Sequence, residues 1–235
     1  MGLLRKAKAN YSNSSVIFIG LLFSSFIAFW PTYYAIFFSS SFYVHFHAAF
    51  AILWFAMLIV QPYLIKSRKL DLHRLIGKTS YLVAPLVVVS IFLLANSRIK
   101  AVSESFYPVQ TYLLYLQISL ALLFAVSWGL AIYFRKTKTV HERFMAATAF
   151  TFIDPILARL LFIISPDTAF NHQWITFGLI NVILIALAIM DRNHRKARWV
   201  YPALLILYLI AEIPIFFNLT PLAWWQDFAA WFASF

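Results

Sequence analysis

The stretch FYVHFHAAFAILWFAMLIVQPYLI (42–65), followed at once by KSRKLDLHRLIGK (66–78), decides the fold class. The first part runs for 24 residues without a Lys, Arg, Asp or Glu. A bilayer's hydrocarbon layer is about 30 Å thick and a helix rises about 1.5 Å per residue, so about 20 apolar residues cross it. The second part carries Lys66, Arg68, Lys69, Arg74 and Lys78. An apolar run ending in a basic cluster is how a membrane helix meets a charged surface.

Working outward, the pattern repeats. Apolar spans are predicted at 15–38, 42–65, 79–96, 111–134, 144–164, 174–190 and 199–217. Period-2 alternation is absent, so these read as helices and not barrel strands. The expected fold is all-α: one transmembrane domain, 1–235, built as a seven-helix bundle. Composition agrees, with 63% hydrophobic and 11% charged residues, against about 25% charged in soluble domains. No soluble domain, repeat or low-complexity tract interrupts it. The first span is too long for a cleaved signal sequence and is expected to be retained. Residues 221–235, with Trp224, Trp225, Phe228 and Trp231, read as an interfacial helix or a disordered tail.

The net charge of +11 suggests nucleic acid only until the charges are placed. Arg5, Lys6 and Lys8 precede span one. Arg135, Lys136, Lys138 and Arg143 separate spans four and five, and Arg192, Arg195, Lys196 and Arg198 separate six and seven. The alternate connections hold only Arg98 and Lys100. This is a positive-inside distribution, which predicts a cytoplasmic amino terminus and an external carboxyl terminus. The expected partners are the bilayer and the anionic headgroups beside the basic connections, not nucleic acid.

The run His47-Ala48, Trp54, Gln61-Pro62 and Leu72-His73-Arg74-Leu75-Ile76-Gly77 resembles uncharacterised bacterial multi-pass membrane proteins in which a His-Arg-x-x-Gly loop joins two spans. His141-Glu142-Arg143-Phe144-Met145 fits the same resemblance. It implies a bacterial inner-membrane protein and no particular activity. Gly77 is expected to serve close packing or a sharp turn.

Ionisable groups inside the spans carry the functional signal, because charge in the membrane core is costly and usually faces a bundle interior. These are His45 and His47 in span two, Asp154 and Arg159 in span five, and Glu212 in span seven. Gln117 and Asn181 are uncharged companions, and His172 lies just outside span six. Taken singly, each has a structural reading as polar glue between helices; their similar depth points to a site. Helical spacing aligns His47, Trp54 and Gln61 on one face, Tyr201, Tyr208 and Glu212 on another, and Trp174 with Asn181 on a third. Arg143, Ala147, Phe150 and Asp154 share a face of span five, with a kink expected at Pro155. His45 points away from His47 on a regular helix, so the two chelate one metal only if the backbone there is irregular. The expected metal ligands are His47, Asp154 and Glu212. The expected cofactor contacts are His45, His47 and His172, for a metal ion or haem b.

Several chemistries drop out. His141-Glu142 is not followed by a second histidine at zinc-protease spacing. No nucleophile elbow or phosphate loop occurs, and span seven has no lysine for a retinal Schiff base. With no cysteine there are no disulfides or thiolate centres. Three readings remain: a metal or haem b protein, a proton- or ion-coupled transporter, or a non-catalytic subunit for another membrane protein. Whether the chain is an enzyme stays open at this point.

Overall fold

A computed structural model describes residues 14–166 and 172–235, and those residues are helical with no strand among them. The elements are α1 (Ser14–Phe29), α2 (Phe42–Lys66), α3 (Leu70–Ala101), α4 (Tyr107–Tyr133), α5 (Lys138–Ala147), α6 (Phe150–Ile164), α7 (Gln173–Asp191), α8 (Val200–Phe216) and α9 (Ala223–Ala233). Six stretches have the length and apolarity to cross a membrane: Ser14–Tyr34, Phe42–Lys66, Leu70–Ala101, Glu104–Tyr133, Lys138–Ile164 and Gln173–Asp191. The seventh expected span is the shorter apolar helix Val200–Phe216. At about 1.5 Å per residue it reaches roughly 25 Å, a little short of the hydrocarbon thickness. The predicted basic cluster Arg5, Lys6 and Lys8 lies outside the described residues.

Several boundaries differ from expectation, each for a local reason. The connection predicted at 66–78 is mostly helix. The turn is confined to Ser67, Arg68 and Lys69, where Arg68 takes a φ of 58°. His73, Arg74 and Gly77 therefore lie on the first turns of α3. Gly77 serves no sharp turn, since no glycine among the described residues has positive φ. A Cβ built there would meet its nearest neighbour, the Gln61 amide, at an ordinary 3.8 Å. Span one ends its α-helix at Phe29 and continues as a π-turn over Trp30–Tyr34, then a 3-10 turn over Phe37–Ser39. Pro31 offers no N–H to the preceding turn, and widening the helix there accommodates its ring. Span five is divided at Thr148 and Ala149, whose N–H groups reach back three residues to Met145 (3.3 Å) and Ala146 (3.0 Å). The break precedes Pro155, which itself lies inside α6.

Short turns join the long helices, so neighbours in sequence pack side by side. The contact of α1 with α6 and the run α6–α7–α8 close the bundle, with α4 touching α3, α5, α6, α8 and α9. One core joins α4, α5, α7 and α8 around Phe144, Leu184, Val200 and Leu204. A second joins α1 to α4 around Phe18, Trp54, Val87 and Phe124. Ala28, Ala84, Ala95, Ala121, Ala131, Ala147, Ala197 and Ala229 are all buried at helix contacts. Small residues let backbones approach closely where lipid supplies no hydrophobic drive between helices. Outward, Ile17, Phe23, Leu82, Leu122 and Ile206 are exposed, an apolar belt suited to acyl chains.

The tail 221–235 is a docked helix. Trp225 and Ala229 on α9 bury against Ala95, Ile99 and Leu114 of α3 and α4. Trp225 Nε1 donates to Thr111 O (2.9 Å), and Asn96 Nδ2 donates to Phe232 O (2.6 Å). Trp224, Trp231 and Phe235 stay exposed on the other face. The interfacial helix of the sequence reading is thus half core, half surface.

Candidate functional site: a buried carboxyl cluster

The stripe Tyr201, Tyr208 and Glu212 on α8 is wholly buried, at 1%, 2% and 2% exposure. It faces α4, α6 and α7. Asn181 of α7 donates from Nδ2 to Glu212 Oε2 at 2.8 Å. Asp154 of α6 is buried and accepts at Oδ1 from Gln173 Nε2, at the first residue of α7. That amide also donates to Thr176 Oγ1 at 2.8 Å. Asp154, Tyr208, Glu212 and Ser119 line a small cavity between apolar walls that include Leu116 and Phe177. Its room for water centres is about 20 Å³, enough for one or two waters. Among the described residues two of its lining side chains carry a buried polar atom that makes no hydrogen bond, Glu212 Oε1 and Tyr208 Oη, and so does Asn181 Oδ1 of the side chain bonded to Glu212. Buried polar groups are normally satisfied, so atoms of this kind have capacity for a water or a proton that the protein itself does not fill. An intramembrane carboxylate is costly unless a counter-charge or proton accompanies it.

The histidines go elsewhere. His47 Nδ1 lies 3.0 Å from Ser90 Oγ. Ser90 has a single hydroxyl hydrogen, which it donates to Val87 O at 2.7 Å. Ser90 is therefore the acceptor, His47 Nδ1 carries the hydrogen, and Nε2 keeps its lone pair. His45 Nδ1 pairs with Tyr33 Oη at 3.1 Å, and its ring packs on Phe37 at 4.7 Å. Because α2 is already regular from Phe42, His45 and His47 diverge and the condition for chelation by the pair is not met. His172 is the residue just before α7 and its side chain makes no capping bond to that helix. Among the described residues no three His, Asp or Glu side chains converge to hold a metal ion. The expected trio does not close as a ligand set, because His47 turns to α3 while Asp154 and Glu212 turn to α7. Gln117 contributes a buried Oε1 with no hydrogen bond.

Arg159 stands on α6 beyond Asp154. Its Nη1 donates to Pro155 O at 2.9 Å, and its guanidinium carbon lies 4.3 Å over the Phe29 ring. It forms no ion pair with Asp154; the two interact electrostatically at longer range.

A second buried charge pair sits at the basic end. Arg143 is 1% and Asp191 2% exposed. Nη2 of Arg143 donates to Asp191 Oδ1 at 2.9 Å, Nε donates to Oδ2, and Nη1 donates to Thr139 O and to Glu142 Oε1. Charge counting assigned Arg143 to the solvated basic connections and singled out no role for Asp191. The available signal was an acid ending an apolar span among basic residues. Nearby, the Gln61 amide, oriented by its neighbours, accepts from Gly77 N–H (3.0 Å) and donates to His73. His141 Nδ1 donates to Ala131 O at 2.8 Å. The His-Arg-x-x-Gly element thus ties α2 to α3.

No family model, curated protein or solved structure matches this chain.

Proposed function

We propose that this helical membrane protein is a proton- or ion-coupled transporter whose coupling site is the Asp154–Tyr208–Glu212–Asn181 cluster. The observation that carries the reading is the water-sized cavity between two buried carboxyls, onto which Glu212 and Tyr208 each bring a buried oxygen with no hydrogen-bond partner among the described residues. Carboxyl relays of this kind mark proton and ion paths in membrane bundles. The divided helix α5–α6 adds support, since transporters build midplane sites beside interrupted helices.

The test is proton uptake into proteoliposomes carrying an interior pH dye, driven by an imposed membrane potential. Wild type is expected to acidify the lumen, and Glu212→Gln and Asp154→Asn to lower the rate at least about tenfold, because each removes a proton-transfer group. Wild-type flux no higher than that of empty liposomes, or unchanged flux in both variants, would sink the reading in favour of a non-catalytic subunit that pairs with another membrane protein.

His47 favours a second reading. An Nδ1–H held by a serine with Nε2 left free is the arrangement of a ligating histidine, so an axial role toward haem b or a metal belongs to His47 alone. A Soret band and metal content in purified protein that vanish in His47→Ala are expected under this reading; their absence from wild type rejects it.

The proposed orientation is amino terminus in the cytoplasm and carboxyl terminus outside, in a bacterial inner membrane. Every Lys and Arg from 66 to 78, from 135 to 143 and from 192 to 198 is exposed except Arg143, which presents those ends to anionic headgroups. Single cysteines at 70 and 138 are expected to resist an impermeant maleimide in spheroplasts, and one at 103 to react. A reversed pattern overturns the orientation.

A further inference from the structure

Glu212 is held on one side only. The Asn181 amide donates to Oε2 at 2.8 Å, while Oε1 is buried with no partner among the described residues. An oxygen that accepts from an amide N–H is not the one that carries an acid hydrogen, so a proton on Glu212 sits on Oε1. Tyr208 stands four residues earlier, one turn away on the same face of α8. It lines the same cavity as Glu212, and its Oη is likewise buried without a partner among the described residues. A phenol hydroxyl donates as well as accepts, so Tyr208 needs an acceptor that the cavity contains. From α6, Asp154 lines that cavity too, with Oδ1 held by the Gln173 amide. Two helices thus bring an acid, a hydroxyl donor and a second acid to one small space. That space discriminates between occupants. Hard cations such as Ca²⁺ and Mg²⁺ take about six oxygen ligands. The polar side chains on the wall are Ser119, Asp154, Tyr208 and Glu212. The rest, including Leu116 and Phe177, is apolar and stands on helices whose carbonyls serve the helix itself. One water, which takes about three hydrogen-bond partners, fits both the room and the polar groups.

We propose that the cavity holds a water bridging Glu212 and Asp154, that the ion handled there is the proton and not a metal cation, and that Tyr208 is the positioning residue that orients the water. The part this plays in coupling rests on the transport reading; occupancy by a water and a proton does not. The transfer balances without any further reactant. The hydrogen on Glu212 Oε1 passes to the water as that O–H bond breaks, and a different water hydrogen passes to the Asp154 carboxylate. The water is regenerated, and the negative charge moves from Asp154 to Glu212. Tyr208 donates to the water oxygen throughout and keeps its own hydrogen. The water then accepts from Glu212 and Tyr208 and donates to Asp154, which leaves its remaining hydrogen for the Ser119 hydroxyl.

The experiment is an infrared pH titration of the whole purified chain in nanodiscs, reading the C=O stretch of protonated carboxyls. It is run in choline, sodium and potassium chloride at equal ionic strength. The band that disappears in Glu212→Gln marks Glu212. It is expected to titrate at the same pH in all three salts, and at a different pH in Asp154→Asn, because interacting acids titrate as a pair. Tyr208→Phe removes only the hydroxyl. It is expected to move the frequency of that band and to slow proton uptake in the proteoliposome assay about tenfold. Tyr133→Phe, at an exposed ring of α4, is expected to change neither. Should Glu212→Gln fail to fold, the band that both Asp154→Asn and Tyr208→Phe alter decides. A midpoint that shifts with sodium or potassium overturns the proposal in favour of a cation site. No band lost in Glu212→Gln overturns it, as does a titration that Asp154→Asn leaves unchanged or a frequency that Tyr208→Phe leaves unmoved. The expected spectra without proton flux keep the proton site and remove the transport reading. Flux driven by a sodium gradient, with a sodium-dependent band, keeps transport and overturns the proton.

Discussion

Asp191→Ala is expected to destabilise the bundle by about 3–5 kcal/mol, the usual cost of removing one partner from a buried ion pair. The carboxylate is held by two donors of Arg143, and both side chains are almost fully enclosed. Without it the guanidinium keeps the Thr139 carbonyl and the half-buried Glu142 but loses its bidentate counter-charge. Water has little access to that place, because the two side chains are only 2% and 3% exposed. The double variant Arg143→Met/Asp191→Leu is expected to recover most of the loss, since apolar groups of similar volume replace such pairs at little cost. Equilibrium unfolding in mixed micelles, compared across wild type, both single variants and the double variant, measures it. A single-variant loss below about 1 kcal/mol would show that the pair is solvated and worth no more than a surface bridge. A double variant no better than Asp191→Ala would show that the charges are needed for the fold itself.

That pair also marks the limit of what charge counting reveals. Span positions were legible because bilayer thickness sets helix length, and the Lys and Arg clusters among the described residues stand at or near the ends of the helices they were expected to flank. Helical faces were legible on α2 and α8, whereas Trp174 is exposed although Asn181 on its predicted face is part-buried, and the predicted face from Arg143 to Asp154 is cut by the break between α5 and α6. The stripe Tyr201, Tyr208, Glu212 is buried throughout, Asn181 meets Glu212, and Trp54 and Gln61 both face other helices. Which residues of equal depth meet was not legible, because depth is one coordinate and packing needs the azimuth of every helix. His47 and Glu212 are expected from sequence at similar depth, yet one turns to Ser90 and the other to Asn181. Arg143 looks like its basic neighbours until its partner, 48 residues away, is known. The docking of α9 was hidden for a different reason. Tryptophans serve an interface and a core equally well, so Trp225 and Trp224 read alike in sequence and differ only in which face α3 and α4 cover.

Trp54→Ala is the other substitution with a large expected effect, about 3–5 kcal/mol of stability. Trp54 is 0% exposed, and its ring meets Phe124 of α4 edge-on at 5.0 Å. Its Nε1 donates to Thr148 Oγ1 at 3.1 Å, at the break between α5 and α6. Thr148 spends its own hydroxyl hydrogen on Met145 O, so it meets the indole N–H as an acceptor. One side chain therefore joins α2, α4 and the interrupted span. Truncation leaves a cavity the size of an indole among close-packed helices, and in a bilayer the lost dispersion contacts, not transfer from water, make up the penalty. Trp54→Phe, which keeps most of the volume and loses the N–H, is expected to cost about 1 kcal/mol, the net worth of one hydrogen bond. Trp174→Ala, at an exposed ring, is expected to stay within about 0.5 kcal/mol. The same unfolding measurement ranks the three. Should Trp54→Ala prove no worse than Trp174→Ala, α2 would not be anchored to the break, and the interrupted helix would lose its fixed wall beside the carboxyl cluster. Should Trp54→Phe match Trp54→Ala, the Thr148 bond, not the packed ring, would be what holds the break in place.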